Sequence, residues 1–280
     1  MKGIILIDKP SGMTSFKVVA IARRILNIKK IGHSGTLDPN ATGLLLLLLN
    51  KSTKLLPFID NHFKTYEFSF KLGIKTDTAD IWGQVIEVKP VKPLTDNDIK
   101  RVCDHFTGTY QQLPPMVSAI KVDGRKLYEY ARNNEVIKRD LRQVVIKSLT
   151  IKKIDDDNYS GVVECSKGTY VRTLCEDIAF YCNNIATMTS IRRTAIGMLK
   201  INDACSLEDL DSGHFKMIDP RSLLSEYKFV DYDDIKTVFN GHEIKLSIDE
   251  NKCFICYEDE IVAFYERKDN DTFHCVRGLW

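Results

Sequence analysis

The sequence predicts an α+β fold. Strand-like and helix-like segments follow one another without the regular alternation that builds a parallel sheet. The chain has 280 residues, of which 44% are hydrophobic and 28% are charged, as in a folded globular protein. Residues 203–260 carry fifteen acidic side chains against six basic ones, so the last part of the chain differs from the rest. We expect a large unit of residues 1–222 and a small β-rich domain of residues 223–280.

The first predicted elements are a buried strand, an amphipathic helix and a second buried strand. Residues 4–7 are apolar, and the leucine run of residues 44–49 is short and bounded by turn residues, so both strands are expected in a sheet interior. Between them, apolar side chains recur at helical spacing after Ser15, the expected helix cap. Asp38 is expected at the mouth of the leucine strand.

The middle of the chain predicts further strands and helices. Thr95 and Asp98 resemble a capping box before an amphipathic helix. A basic excursion over about residues 111–142 contains a short strand, an Asp123-Gly124 turn and a helix. The other expected elements are a strand over 64–72, a polar loop over 76–83, paired strands over 142–154 and 159–165, a helix over 170–181, and short strands over 253–257 and 261–265.

Positive charge is concentrated in two separate segments. Residues 1–34 contain seven Lys or Arg and one acid, and residues 121–147 contain eight Lys or Arg and four acids. The formal net charge is only +2, so the rest of the chain is acidic. This distribution predicts two segments that contact a polyanion such as nucleic acid, although solvated faces of helices and strands would give the same pattern.

Cysteine usage and hydropathy predict a cytoplasmic protein. The eight cysteines have no framework spacing, and the longest apolar run is far shorter than the roughly 20 residues that span a bilayer. The first residues also lack the apolar region of a signal peptide. Cys253 and Cys256, with His274 and Cys275 downstream, could form a zinc site. Residues three apart on a strand point to opposite faces, so we expect buried thiols and no metal.

Asp38 is the first candidate for a nucleophile. Gly35 tolerates backbone angles closed to other residues, and Pro39 biases Asp38 toward an extended conformation that presents its side chain. The alternative is a turn aspartate that bonds only its own backbone. The spacing alone favours this alternative.

The motif resembles a known family. Residues 35–43, Gly-Thr-Leu-Asp-Pro-Asn-Ala-Thr-Gly, resemble the catalytic motif of the bacterial TruB family, the tRNA pseudouridine-55 synthases. Four further blocks resemble the family in the same order, over residues 3–15, 72–80, 118–132 and 165–174. The likeness runs to about Leu199 and is looser beyond.

The resemblance implies a pseudouridine synthase fold, with a mainly antiparallel central sheet flanked by helices and a PUA-like module over residues 223–280. It implies that a uridine in the tRNA T-loop, position 55, is extruded, cleaved from its ribose at N1 and rejoined through C5. This isomerisation involves no redox change, so no cofactor is expected. The expected partner is the T-arm of tRNA, and we expect a monomer with no metal or membrane.

The family likeness also implies the catalytic residues. Asp38 would be the nucleophile, attacking either the ribose or the base, and Arg172 would be its bidentate counter-ion. Tyr66 would stack on the extruded base and take the C5 proton. From residue type alone, Arg172 could be a surface arginine on a helix and Tyr66 a core tyrosine of a strand.

Further substrate contacts follow from the same likeness. Tyr170 would belong to the base pocket, Ile191 would form an apolar wall where the family usually has leucine, and His33 would hold the opened T-loop. Phosphate contacts, which add affinity without selecting sequence, are expected from Lys9, Lys121 and Arg125.

Two other functions stay open at this point. An RNA-folding helper would open the T-arm without chemistry. A glycoside-cleaving enzyme would ordinarily need two carboxylates facing the sugar, and the motif offers only Asp38. Asp77 and Asp80 are expected to shape the polar loop that contains them.

Overall fold

The computed structural model describes residues 2–59, 62–133 and 135–280. The β-strands in this part of the chain are β1 (Gly3–Lys9), β2 (Ile31–His33), β3 (Thr42–Leu49), β4 (Phe63–Leu72), β5 (Ile74–Thr76), β6 (Val85–Val88), β7 (Gly108–Gln112), β8 (Lys121–Val122), β9 (Arg125–Lys126), β10 (Arg142–Lys153), β11 (Asn158–Ser166), β12 (Ala186–Ile196), β13 (Leu199–Lys200), β14 (Lys228–Asp231), β15 (Ile244–Lys245), β16 (Lys252–Tyr257), β17 (Glu260–Asp269) and β18 (Thr272–Gly278). The α-helices are α1 (Ser15–Leu26), α2 (Asp96–Phe106), α3 (Leu127–Arg132), α4 (Val171–Tyr181), α5 (Leu207–Asp211) and α6 (Ile235–Phe239), and short 3-10 turns are formed by Asn50–Leu55, Ile201–Asp203 and Pro220–Leu223.

One large sheet organises the first part of the chain. Within the described residues it has nine strands, in the order β1-β3-β12-β4-β11-β10-β7, with β2 beside β3 and β13 beside β12. Every pairing in it is antiparallel except the short one between β3 and β12. The predicted α+β class with a mainly antiparallel central sheet is therefore confirmed.

The leucine run forms an interior strand, as predicted, because both of its faces are covered. Leu44, Leu46 and Leu48 join one apolar cluster, and the alternate leucines of β3 pack with α1 in another. Successive side chains of a strand point to opposite faces, so an unbroken leucine run suits a strand buried on both sides. The strand that follows the Asp38 loop is thus firmly held in the core.

A second sheet lies near the C-terminal end, with strand order β14-β16-β17-β18-β15. Its Phe254 and Phe264 belong to the same buried cluster as Leu44, Leu46 and Leu48 of the large sheet. The expected β-rich character of this region is confirmed. The boundary between residues 222 and 223 stays a prediction.

The cysteines of β16 are buried free thiols. Cys253 and Cys256 both lie in the interior, and burial raises the pKa of the Cys253 thiol to about 12. Among the described residues, no group of three or more His, Cys, Asp or Glu side chains is arranged to hold a metal ion.

Local signals in the middle of the chain predict its elements well. The Thr95 side chain accepts a hydrogen bond from the Asp98 amide, and Asp98 accepts one from the Thr95 amide, so the predicted capping box is present. The Asp123-Gly124 turn joins β8 to β9 with both turn residues at positive φ. Helix α4 packs its apolar face on the large sheet, which fixes the position of its first turn. None of the helices in the described ranges is long and apolar enough to cross a membrane.

Candidate active site

The loop that carries Asp38 is held by buried side chains from the first part of the chain. Ser15 Oγ accepts a hydrogen bond from the Leu37 amide at 3.0 Å and donates one to the Leu37 carbonyl at 3.3 Å. Thr14, and not Ser15, caps α1, because its side chain accepts a hydrogen bond from the Lys17 amide. The predicted helix cap was wrong by one residue, since the Ser15 side chain holds the Asp38 loop.

Lys9 is a second buried support of this loop. Its ammonium donates to the carbonyls of Pro10 (2.8 Å), Met13 (2.6 Å) and Pro39 (3.0 Å). Burial lowers the pKa of Lys9 to about 8, although the nearby Asp38 carboxylate opposes this shift. A fully buried ammonium with three carbonyl partners does not fit the phosphate contact that we expected. Lys9 instead fixes the backbone on the C-terminal side of Asp38.

Asp38 presents its carboxylate at the surface of the site. The side chain is 51% exposed, and its Oδ2 lies 3.0 Å from Nε of Arg172. Gly35, at φ +75°, makes the turn before Asp38 in the left-handed region that favours glycine. The presented conformation expected from the motif is therefore the one observed.

Arg172 is buried and its position is fixed by two other loops. Its side chain is only 5% exposed, Nη1 donates to the Thr78 carbonyl at 2.8 Å, and Nη2 donates to the Val117 carbonyl at 3.0 Å. The expected bidentate grip on Asp38 is therefore wrong: only Nε meets the carboxylate, because both terminal nitrogens are committed to carbonyls. One guanidinium thus joins the Asp38 loop, the polar loop and the basic excursion.

A second carboxylate lies near Arg172. Oδ2 of Asp80 is 3.9 Å from Arg172 Nε, while Oδ1 accepts hydrogen bonds from the Thr78 hydroxyl at 2.8 Å and the Trp82 amide at 3.2 Å. Asp77 Oδ1 accepts from the Gln84 amide at 2.8 Å. Both acids shape the loop, as predicted. No pattern in the sequence predicts that Asp80 also faces Arg172.

A small cavity of about 90 Å³ opens beside Asp38. Arg172 and Asp80 form its polar side, and Met188 and Ile191 contribute to its apolar side. Ile191 therefore lies where the expected apolar wall would be. A larger cavity of about 720 Å³ also borders Asp38 and is lined by residues of the basic excursion, including Ser118, Tyr128 and Arg132.

Tyr66 lies on β4, opposite Arg193 of the neighbouring strand β12. Its ring is half-buried and contacts the main core, and burial of the hydroxyl raises the pKa of Tyr66. The Arg193 guanidinium approaches that hydroxyl and opposes the shift, whereas the Asp38 carboxylate adds to it. Tyr66 does not line the 90 Å³ cavity as it stands, but its hydroxyl lies within electrostatic reach of Asp38.

Arg193 is a residue of the site that the sequence does not predict. It is fully buried, its Nε donates to the Leu44 carbonyl at 2.8 Å, and its Nη2 donates to the Gly35 carbonyl at 3.2 Å. Its backbone passes so close to Gly43 that a Cβ there would lie 2.7 Å from the Arg193 nitrogen. The pairing of β12 with β3 and β4 brings Arg193 to Leu44, Gly35 and Gly43. No local sequence pattern predicts that pairing.

The other expected substrate contacts are spread around the site. Tyr170 is the residue before α4, with its amide and carbonyl both bonded to Gln112, and it does not line the 90 Å³ cavity. His33 ends β2, contacts the exposed ring of Phe16 edge to face, and has its pKa lowered by burial. The remaining two expected contacts, on the excursion hairpin, are Lys121, which is exposed, and Arg125, which stacks 4.2 Å from the Tyr130 ring centroid.

Comparisons with known proteins find similar sequences over most of the chain. The model of the TruB family pseudouridylate synthase N-terminal domain matches residues 23–171. A protein of Mesoplasma florum named tRNA pseudouridine synthase B is 41% identical over 99% of this chain and 97% of its own length. A Clostridium perfringens protein of the same name is 37% identical over 92% of both chains.

The fold also resembles solved structures. A chain in the crystal structure of a Cbf5-Nop10-Gar1 complex superposes with a TM-score of 0.72 at 23% identity, covering 99% of this chain and 85% of that one. A chain of an H/ACA RNP bound to a substrate RNA gives a TM-score of 0.70 at 21% identity, covering 99% and 85%. The two relatives named tRNA pseudouridine synthase B are more than 30% identical to this chain over more than nine-tenths of its length, and the family model matches more than half of it. The chain therefore belongs to the TruB family of pseudouridylate synthases.

Proposed function

We propose that this protein is a tRNA pseudouridine synthase that isomerises the uridine at position 55 of the T-loop. Support comes from its membership of the TruB family and from relatives named tRNA pseudouridine synthase B. The observation that carries the mechanism is the Asp38–Arg172 ion pair, at 3.0 Å, beside a cavity of about 90 Å³. The adjoining 720 Å³ cavity gives room for the nucleotides around the target.

Asp38 acts as the nucleophile of this reaction. Its half-exposed carboxylate can approach an incoming nucleotide without rearrangement of the loop, which Ser15 and Lys9 hold. A base that covers Asp38 removes it from water, and the adjacent guanidinium offsets that cost. Asp38 adds either to ribose C1′ as the C1′–N1 bond breaks or to the base before that bond breaks. After the base turns, C5 bonds to C1′ and the Asp38 carboxylate is released, and the proton leaves C5 while N1 is protonated.

Tyr66 stacks on the detached base and accepts the proton from C5. Burial raises its pKa, so the phenol is neutral at rest and acts as a base only with help: it first gives its hydroxyl proton to N1 of the detached base, and the phenolate then takes the C5 proton. The Arg193 guanidinium supplies that help, because a positive charge beside the hydroxyl stabilises the phenolate. An aromatic face also replaces the stacking that an extruded pyrimidine loses.

Binding of the RNA uses the two basic segments around the site. The exposed Phe16 ring packs against the partly buried His33 near the Asp38 loop, and Gln112 holds the backbone of Tyr170, which precedes the helix that carries Arg172. Lys121 and Arg125, on the excursion hairpin, contact phosphates. These contacts give affinity that falls as salt rises.

The test uses a tRNA transcript carrying tritium at C5 of its uridines. The protein should release label, and Asp38→Asn should abolish release while tRNA binding, measured by filter retention, stays within a few-fold. Absence of release from every tRNA tested would contradict the proposal. An Asp38→Asn protein that still promotes T-arm refolding, with no release by the parent, would identify a folding helper, and free uracil would identify a glycoside-cleaving enzyme.

A further inference from the structure

Trp82 is an exposed aromatic residue at the site to which the mechanism assigns no role. It lines the same 90 Å³ cavity as Asp38 and Arg172, yet 49% of its surface remains exposed. A single exposed apolar side chain is common on protein surfaces, but this one lies in the lining of the cavity beside Asp38. Its position, and not its exposure alone, makes it informative.

The loop holds Trp82 in place. The Trp82 amide donates to Asp80 Oδ1 at 3.2 Å, and the preceding Ile81 amide donates to the Met188 carbonyl of β12 at 2.8 Å. Gly83 follows, and a Cβ at that position would collide with the Thr78 and Asp77 side chains. The backbone is therefore fixed on both sides of the tryptophan, so its ring loses little conformational freedom when it binds.

We propose that Trp82 is a second aromatic platform, which stacks on a nucleobase of the bound RNA at the rim of the uridine pocket. This inference rests on the proposed RNA substrate. Single-stranded loops are bound through stacking of splayed bases on aromatic side chains, which every base accepts. Trp82 lines the small cavity that the target base would fill and is also 49% exposed, so its indole has surface left over for a base next to the target. Trp82 thereby contributes to affinity for the opened T-loop, without a part in bond breaking.

Fluorescence can test this contact directly, because the sequence has only two tryptophans, Trp82 and Trp280. A Trp280→Phe protein reports Trp82 alone, and a matched Trp82→Phe protein reports Trp280, which lies in the C-terminal segment against Phe239. Adding an unmodified T-stem-loop RNA should quench Trp82 emission, saturating together with filter binding, and should leave Trp280 emission unchanged. Saturated RNA binding with unaltered Trp82 emission would overturn the proposal.

Kinetics separate stacking from a merely structural role. Stacking predicts that Trp82→Ala raises KM by about tenfold or more with kcat changed by less than about threefold, and that Trp82→Phe restores most of the affinity. A fall in kcat at unchanged KM would overturn the proposal and show that the indole only supports Asp80 and Arg172. Unchanged values of both KM and kcat would overturn it too. Trp82 quenching without release of C5 label would contradict the proposed reaction and leave the RNA contact standing.

Discussion

Arg172 meets Asp38 through Nε alone, at 3.0 Å, while its two terminal nitrogens donate to the carbonyls of Thr78 and Val117. The ion pair is therefore also the junction of three loops. A guanidinium suits this position because its donors point in fixed directions from one plane. The geometry of the carboxylate depends on segments that are far apart in the chain.

Replacing this junction by a smaller cation should disable the enzyme. Arg172→Lys leaves one ammonium that cannot reach Asp38 and both carbonyls together, so we expect kcat for label release to fall by about 100-fold or more. Arg101→Lys, at an exposed ion pair on α2, is the matched control and should retain activity. Release within a few-fold of the parent rate would show that only positive charge matters at residue 172.

The hydrogen bonds of Ser15 should matter for catalysis as well as stability. Ser15→Ala removes both bonds to Leu37, and we expect the free energy of unfolding to fall by about 1–3 kcal/mol and kcat to fall about tenfold. Thr14→Ala removes only the helix cap, costing about 1 kcal/mol with little change in kcat. Urea unfolding and label release measure the two quantities, and equal kcat values in both variants would contradict the role given to Ser15.

Gly43 should resist substitution because strand β12 passes close to it. Its φ is +103° and the Arg193 backbone occupies the place of a side chain, so Gly43→Ala should lower the free energy of unfolding by about 3 kcal/mol or more. Gly213 also has positive φ, +79°, but open space around it, so Gly213→Ala should cost only about 1–2 kcal/mol. Similar costs in urea unfolding would mean that the close approach of β12 is not significant.

Lys64 should give the protein a measurable pH dependence. It is buried beside Arg193 and Lys167, and burial, with those charges, lowers the pKa of Lys64 to about 8. The folded protein therefore loses this proton at a lower pH than the unfolded chain, so the lysine destabilises the fold below about pH 8 and this penalty is relieved as pH rises toward the ordinary lysine pKa.

Lys64→Met should remove that penalty. We expect the unfolding free energy at pH 7 to rise by about 1–3 kcal/mol, and the difference between variant and parent to shrink between pH 8 and pH 10. Taking the difference cancels the titration of other groups, including the buried thiols. Lys17→Met, at an exposed helix position, is the control and should give a flat difference. A flat curve for Lys64→Met would contradict the lowered pKa.

The sequence predicts elements whose causes are local. The leucine strand and the Thr95 capping box follow from periodicity and from side chains a few residues apart, and both are confirmed. Long-range partners decide the rest. The Ser15 side chain bonds Leu37 and does not cap α1, the Lys9 ammonium is buried among three carbonyls, and Arg193 reaches Gly35 only through strand pairing.

The candidate site also combines residues that the sequence predicts with contacts that depend on long-range partners. Family resemblance pointed to Asp38 and Arg172, and the structure places them in contact, but the single-atom contact of Arg172 depends on carbonyls of two other loops. The sequence predicts only the role of Asp80 in its own loop, which its hydrogen bond to Thr78 confirms. Its approach to Arg172 depends on a residue about ninety positions away in the chain, so the sequence does not predict it.

The cluster shared by the two sheets also bears on how the chain is made. Leu44, Leu46 and Leu48 face Phe254 and Phe264, which are synthesised about two hundred residues later. Until those phenylalanines leave the ribosome, the apolar cluster on this face of β3 lacks two of its aromatic members. Incompletely covered apolar surface favours aggregation, so we expect the nascent chain to benefit from chaperones until its last strands are made.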